Sequence, residues 1–195
     1  MVRLSEPLIL ASGSPRRAQL LREAGLPFEV AEAPPGTERR AGNGLPPAEA
    51  AVSRALAKAR WASGRHPGRW VLGADTVVVL DGESMGKPAG AAEARRMLGR
   101  LSGRTHEVLT GWALVNGGRE RTACARTRVS FRRLDADAIA RYTASGEPMD
   151  KAGAYAVQGM GGGLVDRIEG SYTNVVGLPV PEVLDALIEC GALTD

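Results

Sequence analysis

Apolar and polar positions alternate along this chain with two different periods, and where each period holds lays out most of its elements. Leu8 to Ala11 is an unbroken apolar run, the pattern of a buried strand. Ser12-Gly13-Ser14 ends it. From Pro15 the spacing turns helical, with an amphipathic run from Arg16 to Ala24 closed by Gly25; Ser14 stands as N-cap and Pro15 as first helical residue, where its missing N–H costs nothing. A Gly/Pro-rich loop from Pro34 to Pro47 precedes a helix predicted over Ala48 to Ser63. Trp70 to Leu80 reads as a strand whose apolar character is interrupted by Gly73-Ala74-Asp75-Thr76, and Asp81-Gly82 marks a turn. Gly86-Lys87-Pro88 then leads into a helix over Ala91 to Leu101, and Ser102 to His106 reads as a loop.

The second half begins with two strands, Glu107 to Val115 and Glu120 to Phe131, joined through Asn116-Gly117-Gly118 as a hairpin. Asp135 to Ala144 is a short helix, Gly146 to Gly163 a long glycine-rich segment, and Leu164 to Ile168 a further strand. After Asn174 to Pro179 a last helix runs from Pro181 to Cys190 and stops at Gly191. Alternating strands and helices followed by a hairpin predict an α/β fold with a mixed sheet, and residues 1–195 are expected to form one domain, or one domain with two lobes.

Composition narrows the classes. At 195 residues with 44% hydrophobic and 24% charged content, the chain is expected to be a soluble globular protein with a sizeable core. No apolar stretch reaches the roughly 18 residues of a membrane span, and Glu6-Pro7 interrupts the region where a signal peptide needs apolar continuity. Two cysteines, Cys124 and Cys190, are too few for a disulfide framework and fit a reducing compartment, so a cytoplasmic location is expected. The net charge of +3 raises the question of nucleic acid, but the charges are interspersed and only 4% of residues are aromatic, which argues against a base-stacking surface. A polyanionic small substrate accounts for the excess equally well. Only three of the 25 basic residues are lysines, Lys58, Lys87 and Lys151. In so arginine-rich a chain, a retained lysine marks a place where a compact ammonium is required, unless three residues fell there by chance.

The first helix start gathers free backbone N–H groups, the hydroxyls of Ser12 and Ser14, and the guanidinium forks of Arg16 and Arg17, a combination suited to a phosphate chain. An ordinary capped helix with two solvated arginines is the alternative. Asp75 stands in an apolar strand either as a strand-end residue or as a metal-binding carboxylate or base; Glu38, on the proline-rich loop, is a solvated side chain or a second carboxylate. Lys58 and Lys87 either face solvent or reach a phosphate. The glycines around Tyr155 and Gln158 make either a flexible loop or a backbone that a ligand can approach closely, with the Gln158 amide able to read a base edge. His66 and His106 lack metal-ligand spacing, and neither a Walker A nor a dinucleotide fingerprint is present.

Taken in order, several motifs add up. Ala11-Ser-Gly-Ser-Pro-Arg-Arg17, Gly73-Ala-Asp-Thr76, Gly86-Lys-Pro88, Leu101-Ser-Gly-Arg-Thr-His106, Gly146-Glu-Pro148, Asp150-Lys-Ala-Gly-Ala-Tyr155, Gln158-Gly159, Gly170-Ser-Tyr172 and Asn174-Val-Val-Gly-Leu-Pro179 together resemble the Maf family of nucleoside triphosphate pyrophosphatases, over Leu8 to about Leu187. The resemblance implies a Maf/ITPase-like fold, a mixed twisted sheet flanked by helices with two lobes around a cleft. It implies hydrolysis of a nucleoside triphosphate to monophosphate and pyrophosphate, a house-cleaning activity, with a divalent cation (Mg²⁺ or Mn²⁺) and a homodimeric assembly. By the same resemblance Asp75 is the catalytic carboxylate and a metal ligand. Ser12, Arg16 and Arg17 bind phosphate with Lys58 and Lys87, and Thr76 and Gln158 bear on base choice. Asp150-Lys-Ala-Gly-Ala-Tyr with Gln158 looks like the branch acting on dTTP and UTP, canonical or modified; the 7-methyl-GTP branch typically has Glu where Gln158 stands. A non-catalytic nucleotide-sensing regulator of cell division is the rival reading. The family often carries two adjacent acids after the first helix; here the pair reads Thr37-Glu38, leaving Glu38 alone as the second metal carboxylate.

Overall fold

A computed structural model describes residues 3–4, 6–38 and 41–194. In chain order the elements are β1 (Arg3–Leu4), β2 (Leu8–Leu10), α1 (Pro15–Glu23), β3 (Phe28–Val30), α2 (Pro47–Ser63), β4 (Val71–Leu80), β5 (Glu83–Met85), α3 (Ala91–Leu101), β6 (Thr105–Asn116), β7 (Arg119–Phe131), α4 (Ala136–Ala144), β8 (Val165–Glu169), α5 (Tyr172–Val176), α6 (Val180–Glu189) and β9 (Leu193–Thr194). Three short 3₁₀ turns, Glu147–Asp150, Ala152–Ala154 and Gly159–Leu164, fill the glycine-rich segment. No helix among the described residues is long and apolar enough to cross a membrane.

Seven strands form one mixed sheet in the order β3-β2-β4-β6-β7-β8 with β5 beside β4, while β1 and β9 pair separately. β2 runs parallel to β3 and β4, and the remaining pairs are antiparallel. β6 covers one edge of β4 from Val71 to Val79. On the opposite edge β2 pairs only with Val71 and Leu72, and β5 only with Val78 to Leu80. The backbone of β4 between Gly73 and Val77 is therefore unpaired along that edge. A parting between strands at the carboxyl end of β2 is where open α/β sheets accept ligands.

The two faces of β4 are covered differently. Residues 71, 73, 75, 77 and 79 share one face because side chains alternate across a strand. α2 lies against that face, and its alanine stripe (Ala51, Ala55, Ala59, Ala62) packs on Val71, Val77, Ala113 and Val115. The contact is close because two strand residues lack a side chain. A Cβ on Gly73 would stand 2.2 Å from the Ala55 carbonyl oxygen, and one on Gly111 would stand 2.3 Å from the Ala51 backbone. The other face carries two cores. Leu72, Ala74, Trp112 and Leu114 pack with α1 and α6, and Val78, Leu80, Val108 and Phe131 pack with α3, Tyr142 and Tyr155. Between them runs a polar rung. Thr76 and Thr110 share a hydroxyl hydrogen bond of 2.9 Å, and the Asn174 amide below them donates to the Val108 carbonyl and to Thr127 Oγ1.

Several expectations need correcting. Thr105 and His106 belong to β6 rather than to a loop, because they pair with Ser130 and Val129 of β7. The strand expected over Trp70 to Leu80 is borne out as β4, where Gly73-Ala74-Asp75-Thr76 interrupts the apolar character but not the backbone. Ser14 holds the N-cap position of α1 but makes no side-chain cap; its N–H instead donates to Ser12 Oγ at 3.3 Å. The segment from Gly146 to Gly163 is wound about Glu147, whose carboxylate accepts from the Tyr142 hydroxyl and from the N–H groups of Met160 and Gly161. Over Tyr172–Val176, where no helix is expected, α5 forms because Ser171 Oγ accepts from the Asn174 N–H and starts a turn.

Candidate active site

A cleft of about 680 Å³ opens over the unpaired stretch of β4, and Ser12, Arg16, Arg17, Glu38, Lys58, Asp75, Thr76, Lys87 and Gln158 all line it. The residues singled out from the sequence thus converge, although they are spread over three elements (α1, α2 and β4) and four connecting segments.

Asp75 projects from β4 toward α2, opposite Gly111 on β6. Lys58, one turn from the C-terminal end of α2's alanine stripe, donates from Nζ to Asp75 Oδ1 at 2.7 Å, and the same ammonium lies 3.7 Å from Glu38 Oε1. Both partners of the short pair are largely shielded, Lys58 at 14% and Asp75 at 18% side-chain exposure, so their attraction is screened less than that of a surface pair. Close packing of α2 on Gly73 and Gly111 is what brings the lysine this near. Arg54, one turn earlier on α2, places Nη1 3.6 Å from the other carboxylate oxygen of Asp75. It was not expected from the sequence, although its i,i+4 spacing from Lys58 puts both on one helix face.

The two arginines of the first motif have different surroundings. Arg17 donates from Nε to the Gly177 carbonyl at 2.8 Å, from Nη1 to Ser12 Oγ at 2.9 Å and from Nη2 to Thr76 Oγ1 at 3.1 Å. Burial pulls its guanidinium below the ordinary arginine value, with Asp75 opposing; arginine remains charged regardless. Arg17 thereby clasps the start of the phosphate-type loop, the strand carrying Asp75 and the turn after α5. Arg16 makes one ion-pair contact among the described residues, 3.7 Å to Asp150 Oδ2 across the cleft. By their position in the first turn of α1, the N–H groups of Arg16 and Arg17 have no intrahelical acceptor.

On the far side, Gly153 N–H donates to the Gly86 carbonyl, tying the glycine-rich segment to the loop that carries Lys87. Gly153 and Ala154 are both left-handed, at φ 69° and 59°, and this double turn seats the Tyr155 ring in the second core. The Tyr155 hydroxyl meets His106 Nε2 at 2.7 Å, and burial raises its pKa. Lys151 is held by the Glu147 carbonyl at 2.8 Å and by Asp150. Hydrogen bonding to Lys151 keeps the Asp150 carboxyl below the usual range. Lys87 is exposed, and neither Lys87 nor Gln158 has a side-chain hydrogen bond among the described residues.

The family model and the sequence relatives agree with each other. The family model described as Maf-like protein matches residues 7–190. A dTTP/UTP pyrophosphatase of Symbiobacterium thermophilum is 53% identical over 186 residues, covering 95% of both chains. Proteins of the same description from Gloeobacter violaceus and Myxococcus xanthus are 50% and 52% identical, covering 93% and 94% of this chain and 95% and 92% of theirs. Among solved structures, a nucleoside-triphosphatase / dITP/XTP pyrophosphatase from Mycobacterium abscessus aligns over 95% of each chain with a TM-score of 0.46 at 20% identity, too slight a likeness to bear on function.

Proposed function

The chain belongs to the Maf family, and from that membership we propose that it hydrolyses dTTP and UTP, modified pyrimidine nucleotides included, to the monophosphate and pyrophosphate. The observation that carries this reading is the Asp75–Lys58 pair set over an unpaired stretch of β4, across the cleft from a helix N-terminus flanked by Arg16. A carboxylate, a row of cations and a helix N-terminus are what phosphoanhydride hydrolysis needs: a proton acceptor for water and fixed positive charge for the phosphates.

In this mechanism Asp75 takes the proton of the attacking water, and Lys58, donating to its Oδ1, fixes the carboxylate's orientation. Arg16, Lys87 and the N-terminal N–H groups of α1 grip the triphosphate and stabilise charge on the departing pyrophosphate. Arg17 keeps Ser12 and Thr76 in register beneath them. Gln158 offers a donor and an acceptor to the edge of a pyrimidine, and Thr76, which lines the same cleft, is the second residue bearing on base choice.

The donor set suits a divalent cation. Asp75 and Glu38 both turn a carboxylate oxygen toward one positive centre, the Lys58 ammonium, which marks where two acids converge on a cation. No group of three or more acidic, His or Cys side chains able to hold a metal occurs among the described residues. Two carboxylates with substrate phosphate oxygens and water match the way Mg²⁺ or Mn²⁺ is commonly held in nucleotide sites. Such an ion, bound by Asp75 and Glu38, would neutralise phosphate charge and acidify a bound water.

A single domain of two lobes is supported by the two cores on one face of β4 and β6. A cytoplasmic homodimer completes the reading, with sedimentation of the purified protein as the check on its assembly.

The test is pyrophosphate release from dTTP, UTP, CTP, dATP, GTP and 7-methyl-GTP with Mg²⁺ or Mn²⁺. Preference for dTTP and UTP is expected. Preference for 7-methyl-GTP would overturn the role of Gln158, and binding without turnover of any nucleotide would favour a nucleotide-sensing regulator.

A further inference from the structure

Six cationic side chains line the cleft, and the structure divides them by what their donors already do. Arg17 makes three hydrogen bonds to protein oxygens, Lys58 is committed to Asp75, and Lys151 is committed to Glu147 and Asp150. Arg16, Arg54 and Lys87 make no hydrogen bond to protein among the described residues. Arg54 is the unexpected member of this set. Its nearest charged partner is Asp75 Oδ2 at 3.6 Å, too far for a hydrogen bond, and its side chain is 31% exposed. The guanidinium therefore lines the cleft with its full fork of donors unclaimed, beside the carboxylate assigned to catalysis.

We infer that Arg54 is a substrate-contacting residue that takes phosphate oxygens of the triphosphate beside Asp75. The inference rests on the proposed pyrophosphatase reading and deepens it. A guanidinium fork matches two phosphate oxygens at once, whereas Lys58 delivers a point charge already spent on Asp75. The placement also answers an electrostatic difficulty. A triphosphate brought against Asp75 and Glu38 meets two carboxylates, and Lys58 alone faces both of them. A second cation on the same face of α2, one turn away, offsets that repulsion where the phosphates enter. Arg54 reaches this place because α2 is clamped to the sheet through Gly73 and Gly111, which also sets Lys58.

The test uses the full-length protein with Arg54→Gln and Arg54→Lys. Loss of a charge-assisted phosphate contact is expected to lower kcat/KM for dTTP about tenfold or more in Arg54→Gln. Inhibition by inorganic pyrophosphate should weaken in parallel, while inhibition by thymidine, which has no phosphate, and the Tm stay near wild type. Arg54→Lys should recover part of the loss. Unchanged kcat/KM and pyrophosphate inhibition in Arg54→Gln would overturn the inference, as would equal weakening of thymidine and pyrophosphate with a lowered Tm in both variants. Should the wild type turn over no nucleotide, the pyrophosphatase reading falls by itself. Calorimetric binding of inorganic pyrophosphate to wild type and Arg54→Gln then still decides whether Arg54 holds phosphate.

Discussion

The two faces of β4 at Asp75 and Thr76 are built on opposite plans. On the α2 face, small residues meet: alanines of the helix rest on Gly73 and Gly111, so a helix backbone comes close enough to hold Lys58 and Arg54 against Asp75. The charged groups there are few, partly open to the cleft and not all mutually satisfied. On the opposite face a continuous network, Arg17–Thr76–Thr110–Asn174–Thr127, joins two apolar cores. Adjacent residues of one strand thus separate the tasks. The face that must exchange partners with a ligand is kept under-bonded by backbone packing, and the face that must hold the frame is tied together by side-chain hydrogen bonds that run from α1 to β7.

The largest expected effect comes from breaking the α2 side. Gly111→Ala puts a methyl into the Ala51 backbone, which cannot yield as a flexible side chain would. Overpacking of this kind costs about 1–3 kcal/mol. Displacing Lys58 and Arg54 by a fraction of an ångström to an ångström should cost about 100-fold in kcat. Urea unfolding and steady-state kinetics on the same preparation read both, and kinetics unchanged despite the substitution would refute the role given to close packing.

A smaller effect, in stability alone, belongs to the opposite face. His106 is buried in the second core between Phe131 and Tyr155, and burial pushes its pKa down to about 4 from 6.5. The unfolded chain therefore takes up a proton first as pH falls. The stability associated with neutral His106 is complete above pH 6.5 and is lost between 6.5 and about 4, by about 3 kcal/mol in total. His106→Gln should flatten that part of the pH–stability curve; an unchanged curve would contradict it.

The smallest effect should lie on the outer side of α2. Arg60 forms a two-pronged pair with Glu120 at 2.6 and 2.8 Å, but the arginine is 60% exposed. Arg60→Ala should change stability by about 0.5 kcal/mol or less and leave kcat untouched, as followed by urea unfolding and dTTP turnover. A large loss of activity there would show that α2 transmits damage to the site without the glycine contacts.

Much of this was legible before the structure, for physical reasons that vary by element. β2, α1, α2 and β7 carry local patterns strong enough that their bounds follow to within a residue. β3 has one half-buried and two exposed residues, so no alternation announces it. His106 looked like a loop residue because Ser102-Gly103-Arg104 reads as a turn, and only pairing with Val129 reveals the strand. The candidate site residues were found through ordered motifs, but motifs do not say which way neighbours point. Arg16 and Arg17 stand side by side in sequence yet lie about 100° apart around a helix, so one faces the cleft and the other the frame. Arg54 escaped notice because its direction depends on which face α2 lays on the sheet. That is decided by Gly73 and Gly111, residues 38 positions apart that become neighbours only through the β4–β6 register.

The most direct test of the central claim, that Asp75 on the under-bonded face performs the chemistry, is Asp75→Asn assayed for dTTP turnover and for dTTP binding on the same protein. The substitution keeps size and shape while removing the proton acceptor. Turnover abolished with nucleotide binding largely intact is the predicted result, and full activity in Asp75→Asn would contradict it.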